Sequence, residues 1–145
     1  DAVLCLGNSL PHVLTEEALR ITLEDMAAVL RPGGLLLIQT RNMDAVMDQR
    51  SRWMPLQARR EEASVPQTGR EWLFARFYDF DEDGTITFNV VTLERGHPDG
   101  AWKQTVDATR LYPWRYSQLV KAVGAAGFVD LVSYGDMAGA RYDRE

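Results

Sequence analysis

The chain has 145 residues, enough for one domain with a substantial core, and its 46% hydrophobic and 26% charged content is that of an ordinary globular protein. A formal net charge of -5 argues against a general binder of nucleic acid or of acidic membrane surfaces, since both are polyanions. The single cysteine, Cys5, excludes an internal disulfide, His12 and His97 form no zinc-type cluster, and no apolar run approaches the ~20 residues that span a bilayer. No signal peptide is visible, so the expected compartment is the cytoplasm.

In chain order, Ala2 to Leu6 is uniformly apolar, as in a strand covered on both faces of a parallel sheet. Gly7-Asn8-Ser9 breaks the run. Thr15 is the expected N-cap of a helix, with Glu16 and Glu17 complementing its dipole. Leu19, Leu23, Met26, Ala27 and Leu30 follow at helical spacing, until Arg31-Pro32-Gly33-Gly34 stops the helix. Leu35 to Ile38 is a second all-apolar strand. Strand, helix and strand in this order make a βαβ unit over residues 1–42, with its strands parallel, ~4.8 Å apart, and ending on one edge. That edge carries Asn8 and Ser9 beside Thr40, Arg41 and Asn42, and ligands of open α/β sheets bind at such carboxyl edges.

Residues 43–70 are polar, with a short helix over Met43 to Gln49 and a loop at Pro66 to Gly69. The arginines Arg50, Arg52, Arg59 and Arg60 are offset by Asp48, Glu61 and Glu62, as on a solvated face. From Trp72 the pattern has period 2. Turn signals at Asp81 to Gly84 and His97 to Gly100 divide an antiparallel meander of three strands over residues 71–112. Its aromatic residues read as core, with a ligand platform as the alternative. Residues 113–145 return to a helix over Tyr116 to Ala125, closed by Gly127, and a last strand over Phe128 to Tyr134. The whole is expected to be one α/β domain with an antiparallel insertion, cut from a longer protein.

Two motifs go further. Residues 1–13, DAVLCLGNSLPHV, resemble the fourth strand of class I S-adenosylmethionine (SAM)-dependent methyltransferases and the loop after it. LRPGGLLLIQTRNMD, ending at Asp44, resembles the next helix end, the fifth strand and the Arg-Asn-X-Asp tail of the glycine/sarcosine N-methyltransferase branch. The resemblance implies the C-terminal part of a Rossmann-like sheet, lacking the glycine-rich loop and the ribose-binding acid that lie earlier in that family. It also implies SAM as cofactor and a small-molecule substrate, while charge and composition lead to the expectation of no nucleic acid or membrane partner and no metal. A homo-oligomer is left open.

The resemblance also implies site residues. Leu6, Gly7, Ser9 and His12 would lie against the cofactor, with His12 near its methionine end. Asn8 would orient the acceptor amine, Arg41 would hold an amino-acid carboxylate, and Tyr112 would aim its hydroxyl at the substrate. A guanidinium suits a carboxylate because it binds bidentately. Each has a plainer alternative: a strand-end cap for Asn8 and Ser9, a loop residue for His12, a surface salt bridge for Arg41 and core packing for Tyr112. Where related enzymes place a substrate-contacting Tyr on the second insertion strand, this chain has Phe88-Asn89-Val90-Val91-Thr92. The expected activity is N-methylation of a small amine or amino acid such as glycine or sarcosine. A non-catalytic module of the same fold, or methylation of another small acceptor, are the alternatives.

Overall fold

The structure is a computed structural model that describes residues 1–61, 69–97 and 99–143. It divides into two compact units, Asp1–Arg50 with Leu111–Glu145, and Ser51–Arg110. The expected loop at Pro66 to Gly69 lies, apart from Gly69, outside the described residues.

In the first unit, β1 (Ala2–Cys5) pairs in parallel with β2 (Leu35–Ile38), in the register Ala2 to Leu35 through Cys5 to Ile38. Helix α1 (Glu16–Ala28) connects them and begins as expected, with Thr15 Oγ1 accepting from the Ala18 N–H at 3.1 Å. Past its end, Gly34 N–H donates to Arg31 O at 2.8 Å, and Gly33 takes φ 82°, a backbone that glycine adopts without a Cβ penalty. Helix α2 (Met43–Asp48) follows β2, and α3 (Tyr116–Ala125) follows the insertion.

The core gathers Leu10, Leu19, Leu23, Trp114 and Val123, with Cys5, Leu36 and Ile38 from the sheet packed against them. Burying an aliphatic side chain of this size is worth about 1.5–3 kcal/mol, so this cluster supplies much of the unit's stability. The strand at residues 2–6 was expected to be covered on two faces, but the structure covers one face of this pair. Leu4, Leu35 and Leu37 on the opposite face are 59%, 60% and 40% exposed. The strands are apolar at every position, so the sequence carries no alternation to mark which face is covered.

The second unit is an antiparallel sheet of order β3-β4-β5-β6. Its strands are β3 (Gln57–Arg60), β4 (Glu71–Phe80), β5 (Ile86–Arg95) and β6 (Lys103–Leu111), whose last residue falls in the first unit. The expected three-strand meander is therefore present with a fourth strand added at its β4 edge. Strand β3, Gln-Ala-Arg-Arg, is exposed throughout and pairs Gln57 with Phe74 and Arg60 with Glu71. Charged side chains on an edge strand discourage further pairing, which is why this one looks like a loop in sequence. The β4–β5 turn closes through Asp81 N–H to Thr85 O at 3.0 Å, with Gly84 at φ 83°.

The last expected strand is corrected. Phe128 to Tyr134 forms no strand, and Tyr134 makes one isolated bridge to Arg141. Asp130 takes φ 55°, which interrupts an extended backbone, and Val129 and Val132 are exposed. The apolar composition that suggested a strand has no pairing partner there among the described residues.

Candidate functional site

The parallel register sets the site. Since Cys5 pairs with Ile38, the residues after each strand emerge side by side. Gln39 N–H donates to Cys5 O at 2.8 Å, Asn8 N–H donates to Gln39 O at 3.2 Å, and Gly7 N–H donates to Gln39 Oε1 at 2.7 Å. Gly7 and Asn8 take successive left-handed conformations, φ 70° and 61°. Glycine is free to do so, and asparagine is among the side chains that tolerate it. The chain thereby turns sharply out of β1.

Asn8 then braces the other strand's exit. Its Oδ1 accepts from Thr40 Oγ1 at 2.9 Å and from the Arg41 N–H at 3.0 Å. Asn8 and Arg41 are thus brought together at one strand edge as the βαβ unit leads one to expect, through the Arg41 backbone. Of the two kinds of oxygen that could hold an amine here, backbone carbonyl and Asn8 Oδ1, the latter is committed to these two donors. The acceptors left at the turn are the Gly7 and Asn8 carbonyls, which receive no hydrogen bond among the described residues.

Ser9 Oγ donates to Leu6 O at 2.6 Å, so Leu6, Gly7, Asn8 and Ser9 form one knotted loop. Residues Leu10–His12 make a single 3-10 turn whose Leu10 and Pro11 are buried, while His12 is exposed. The buried pair anchors the loop and leaves the imidazole at the surface. Tyr112 joins this segment from the far end of the chain, its N–H donating to Pro11 O at 2.8 Å. Its ring is half-buried against Trp114, with centroids 4.1 Å apart, and Trp114 Nε1 donates to Val13 O at 2.8 Å. The packing role weighed for Tyr112 is therefore present. The Cys5 thiol, beneath the loop, is pushed up in pKa by burial, partly offset by a hydrogen bond with the Leu10 backbone.

The Arg-Asn-X-Asp tail ends in a buried acid, Asp44. Asp44 is 1% exposed, and its Oδ2 accepts from the Tyr116 N–H at 2.8 Å and from Tyr142 Oη at 3.3 Å. Arg115 Nη1 lies 3.5 Å from Asp44 Oδ1 and 2.6 Å from Asp48 Oδ1. The hydrogen bond to Asp48 is the main reason the Arg115 pKa is raised. Asn42 caps α2 through Ala45 N–H at 3.1 Å and donates from Nδ2 to Asp143 O at 2.7 Å. Asp44 clamps the start of α2 to the start of α3, and a carboxylate inside an otherwise apolar helix start was the sequence signal for it.

Among the described residues no group of acidic, His or Cys side chains could hold a metal ion, and no helix is long and apolar enough to cross a membrane.

Comparison with known proteins agrees with this geometry. No family model matches the chain. It is 30% identical over 138 residues to a glycine/sarcosine N-methyltransferase of Aphanothece halophytica, covering 94% of this chain and 44% of that protein. It is 27% identical over 140 residues to the enzyme of the same name from Parasynechococcus marenigrum, covering 94% and 42%. The chain thus spans less than half the length of these relatives.

Among solved structures, a SAM-dependent methyltransferase from Clostridium acetobutylicum superposes with TM-score 0.70 at 10% identity, covering 99% of this chain and 53% of that one. A SAM-bound amino pentose methyltransferase from Micromonospora echinaspora gives 0.67 at 19% identity, covering 95% and 54%. At these identities the superpositions speak for the fold. The chain carries the C-terminal part of the class I SAM-dependent methyltransferase fold. Within that class its sequence resembles the glycine/sarcosine N-methyltransferase branch.

Proposed function

We propose that the protein is a SAM-dependent methyltransferase that N-methylates a small amine or amino acid, glycine or sarcosine being the model acceptors. The observation that carries this reading is the hydrogen bond from Arg41 N–H to Asn8 Oδ1, which ties the loop after β1 to the exit of β2 at one carboxyl edge. The sequence similarity to glycine/sarcosine N-methyltransferases supports the choice of acceptor.

The loop fits the cofactor's methionine end. Its unpartnered Gly7 and Asn8 carbonyls suit an ammonium, and the exposed His12 ring offers a donor or an acceptor. Leu6, Gly7, Ser9 and His12 would hold it. When bound, SAM supplies an electrophilic methyl carbon on a sulfonium.

The chain's own residues supply position. Arg41 holds the acceptor's carboxylate as a bidentate fork, and a carbonyl of the Asn8 turn accepts an amine N–H. The nitrogen lone pair is thereby aimed while the amine is neutral. In-line displacement rewards such orientation heavily, since much of the barrier can be met by positioning.

The test compares Arg41→Ala and Arg41→Lys in the full-length protein, using glycine, sarcosine and a carboxylate-free amine of similar size. Losing a charge-assisted pair costs about 1.5–3 kcal/mol, or roughly ten- to a hundred-fold in kcat/KM for the two acids. Lysine should recover part of it, and SAM affinity should hold. Equal losses on all three acceptors would remove Arg41 from carboxylate recognition.

A further inference from the structure

The antiparallel sheet holds a cation that the described residues of its unit do not neutralise. Four arginines of this unit have carboxylate partners: Arg52 with Asp79, Arg60 and Arg95 with Glu71, and Arg110 with Asp83. Arg76, in the middle of β4, has no ion pair or side-chain hydrogen bond among the described residues. Its Nε is sealed from water and unsatisfied.

The β4–β5 register places no carboxylate close to it. Phe74 and Tyr78 share its face on β4, since side chains two apart lie on the same side of a strand. Val90 stands opposite on β5, and Met54 N–H donates to Arg76 O at 3.0 Å on the other flank. The Tyr78 and Phe88 rings pack with centroids 5.5 Å apart. The nearest carboxylate on this face of the β4–β5 ladder is Glu94, opposite Trp72 and thus four residues along the strand, roughly 13 Å away. A half-buried charge among apolar neighbours, with a shielded donor unmet, is costly and calls for a partner.

We propose that Arg76 is an anion-receiving residue, and that the aromatic face around it takes the carboxylate of a small organic molecule. With Nε shielded, the Nη pair is the end left for a ligand. Two parallel N–H groups match the two oxygens of a carboxylate. Phe74, Phe88 and Val90, each half-buried above the fully buried Tyr78, offer the apolar contact that an organic body uses and inorganic phosphate does not. This assignment stands on the sheet alone and does not depend on the methyl-transfer reading.

The test follows the Arg76 Nε–H resonance by 15N NMR in the full chain, titrating acetate, butyrate, propylamine and inorganic phosphate separately. Butyrate should give a saturable shift at lower concentration than acetate, and propylamine none. Arg76→Gln should weaken butyrate binding at least tenfold, read from backbone amides of β4 and β5, and Arg76→Lys should restore part. Arg76→Met, which removes the unpaired charge and keeps an apolar stem, should melt at or above the temperature of the parent without ligand. No saturable shift with either carboxylate overturns the proposal. So does unchanged butyrate binding in Arg76→Gln, or a lower melting temperature for Arg76→Met, which would make the arginine structural. Phosphate binding as tightly as butyrate would overturn the carboxylate assignment. If Arg76→Gln fails to fold, the parent titration and Arg76→Lys decide the matter.

Discussion

Replacing Asn8 by alanine should loosen the exit of β2, a strand 30 residues away in sequence that the substitution does not touch. Asn8 Oδ1 receives the Thr40 hydroxyl at 2.9 Å and the Arg41 N–H at 3.0 Å, and its backbone sits at φ 61°. Each hydrogen bond is worth about 0.5–1.5 kcal/mol net, and alanine at a left-handed position adds about 1 kcal/mol of backbone cost. The sum is about 2–4 kcal/mol for Asn8→Ala. Asn8→Gly keeps the backbone free and should lose only the bonds, about 1–3 kcal/mol. The difference between the two isolates the strain. Urea denaturation gives the totals, and amide hydrogen exchange at Arg41 reports the brace itself. Since 1.4 kcal/mol is tenfold, Arg41 exchange should quicken by about tenfold or more in both variants. Unchanged Arg41 protection in Asn8→Ala, or equal stabilities for Ala and Gly, would refute the reasoning.

Three further outcomes are expected. His12→Ala in the full-length protein should weaken SAM binding without shifting the melting temperature, because the ring is exposed; equal affinity and rate would return it to the surface loop. Asp44→Ala should cost about 3 kcal/mol by denaturation, since Tyr116 N–H and Tyr142 Oη lose a buried acceptor; a change under about 0.5 kcal/mol would show the clamp to be slack. Glu71 is held below the ordinary glutamate pKa, first by its hydrogen bond with Arg95. Its contribution is present above about pH 4.5 and lost as pH falls through the lowered folded value. Glu71→Gln should therefore flatten the acid limb of the stability curve, and an unchanged limb measured by thermal melts between pH 3 and 6 would contradict this.

The βαβ unit was legible because each of its signals has one physical meaning. Thr15 before two glutamates can cap a helix, and Pro32-Gly33-Gly34 can only end one. The turn at Gly7-Asn8 was readable as a break, yet the direction of the Asn8 side chain was not, because a hydrogen bond 33 residues away in sequence decides it. Strand β3 escaped notice since an edge strand is held by backbone bonds and needs no apolar face. Phe128 to Tyr134 misled for the opposite reason: its side chains suit a strand, while pairing is a property of the neighbour.

Asp44 shows what the candidate site requires beyond its contacting residues. In Arg41-Asn42-Met43-Asp44, the first residue is held by its N–H on Asn8, the second by its cap on Ala45, the third by burial, and the fourth by Tyr116 and Arg115. Each residue from Arg41 to Asp44 is thus fixed by a separate contact. A side chain proposed to orient a substrate gains from such a base, because misplacement of about 1 Å can cost a hundred-fold in rate. On this view Asp44→Asn, which keeps an acceptor for Tyr116 N–H but drops the charge facing Arg115, should fold. It should then lose kcat/KM for glycine and sarcosine through KM, while SAM affinity stays nearly intact. A loss of SAM affinity equal to that of the acids would mean that the clamp supports the whole sheet edge and has no particular bearing on Arg41.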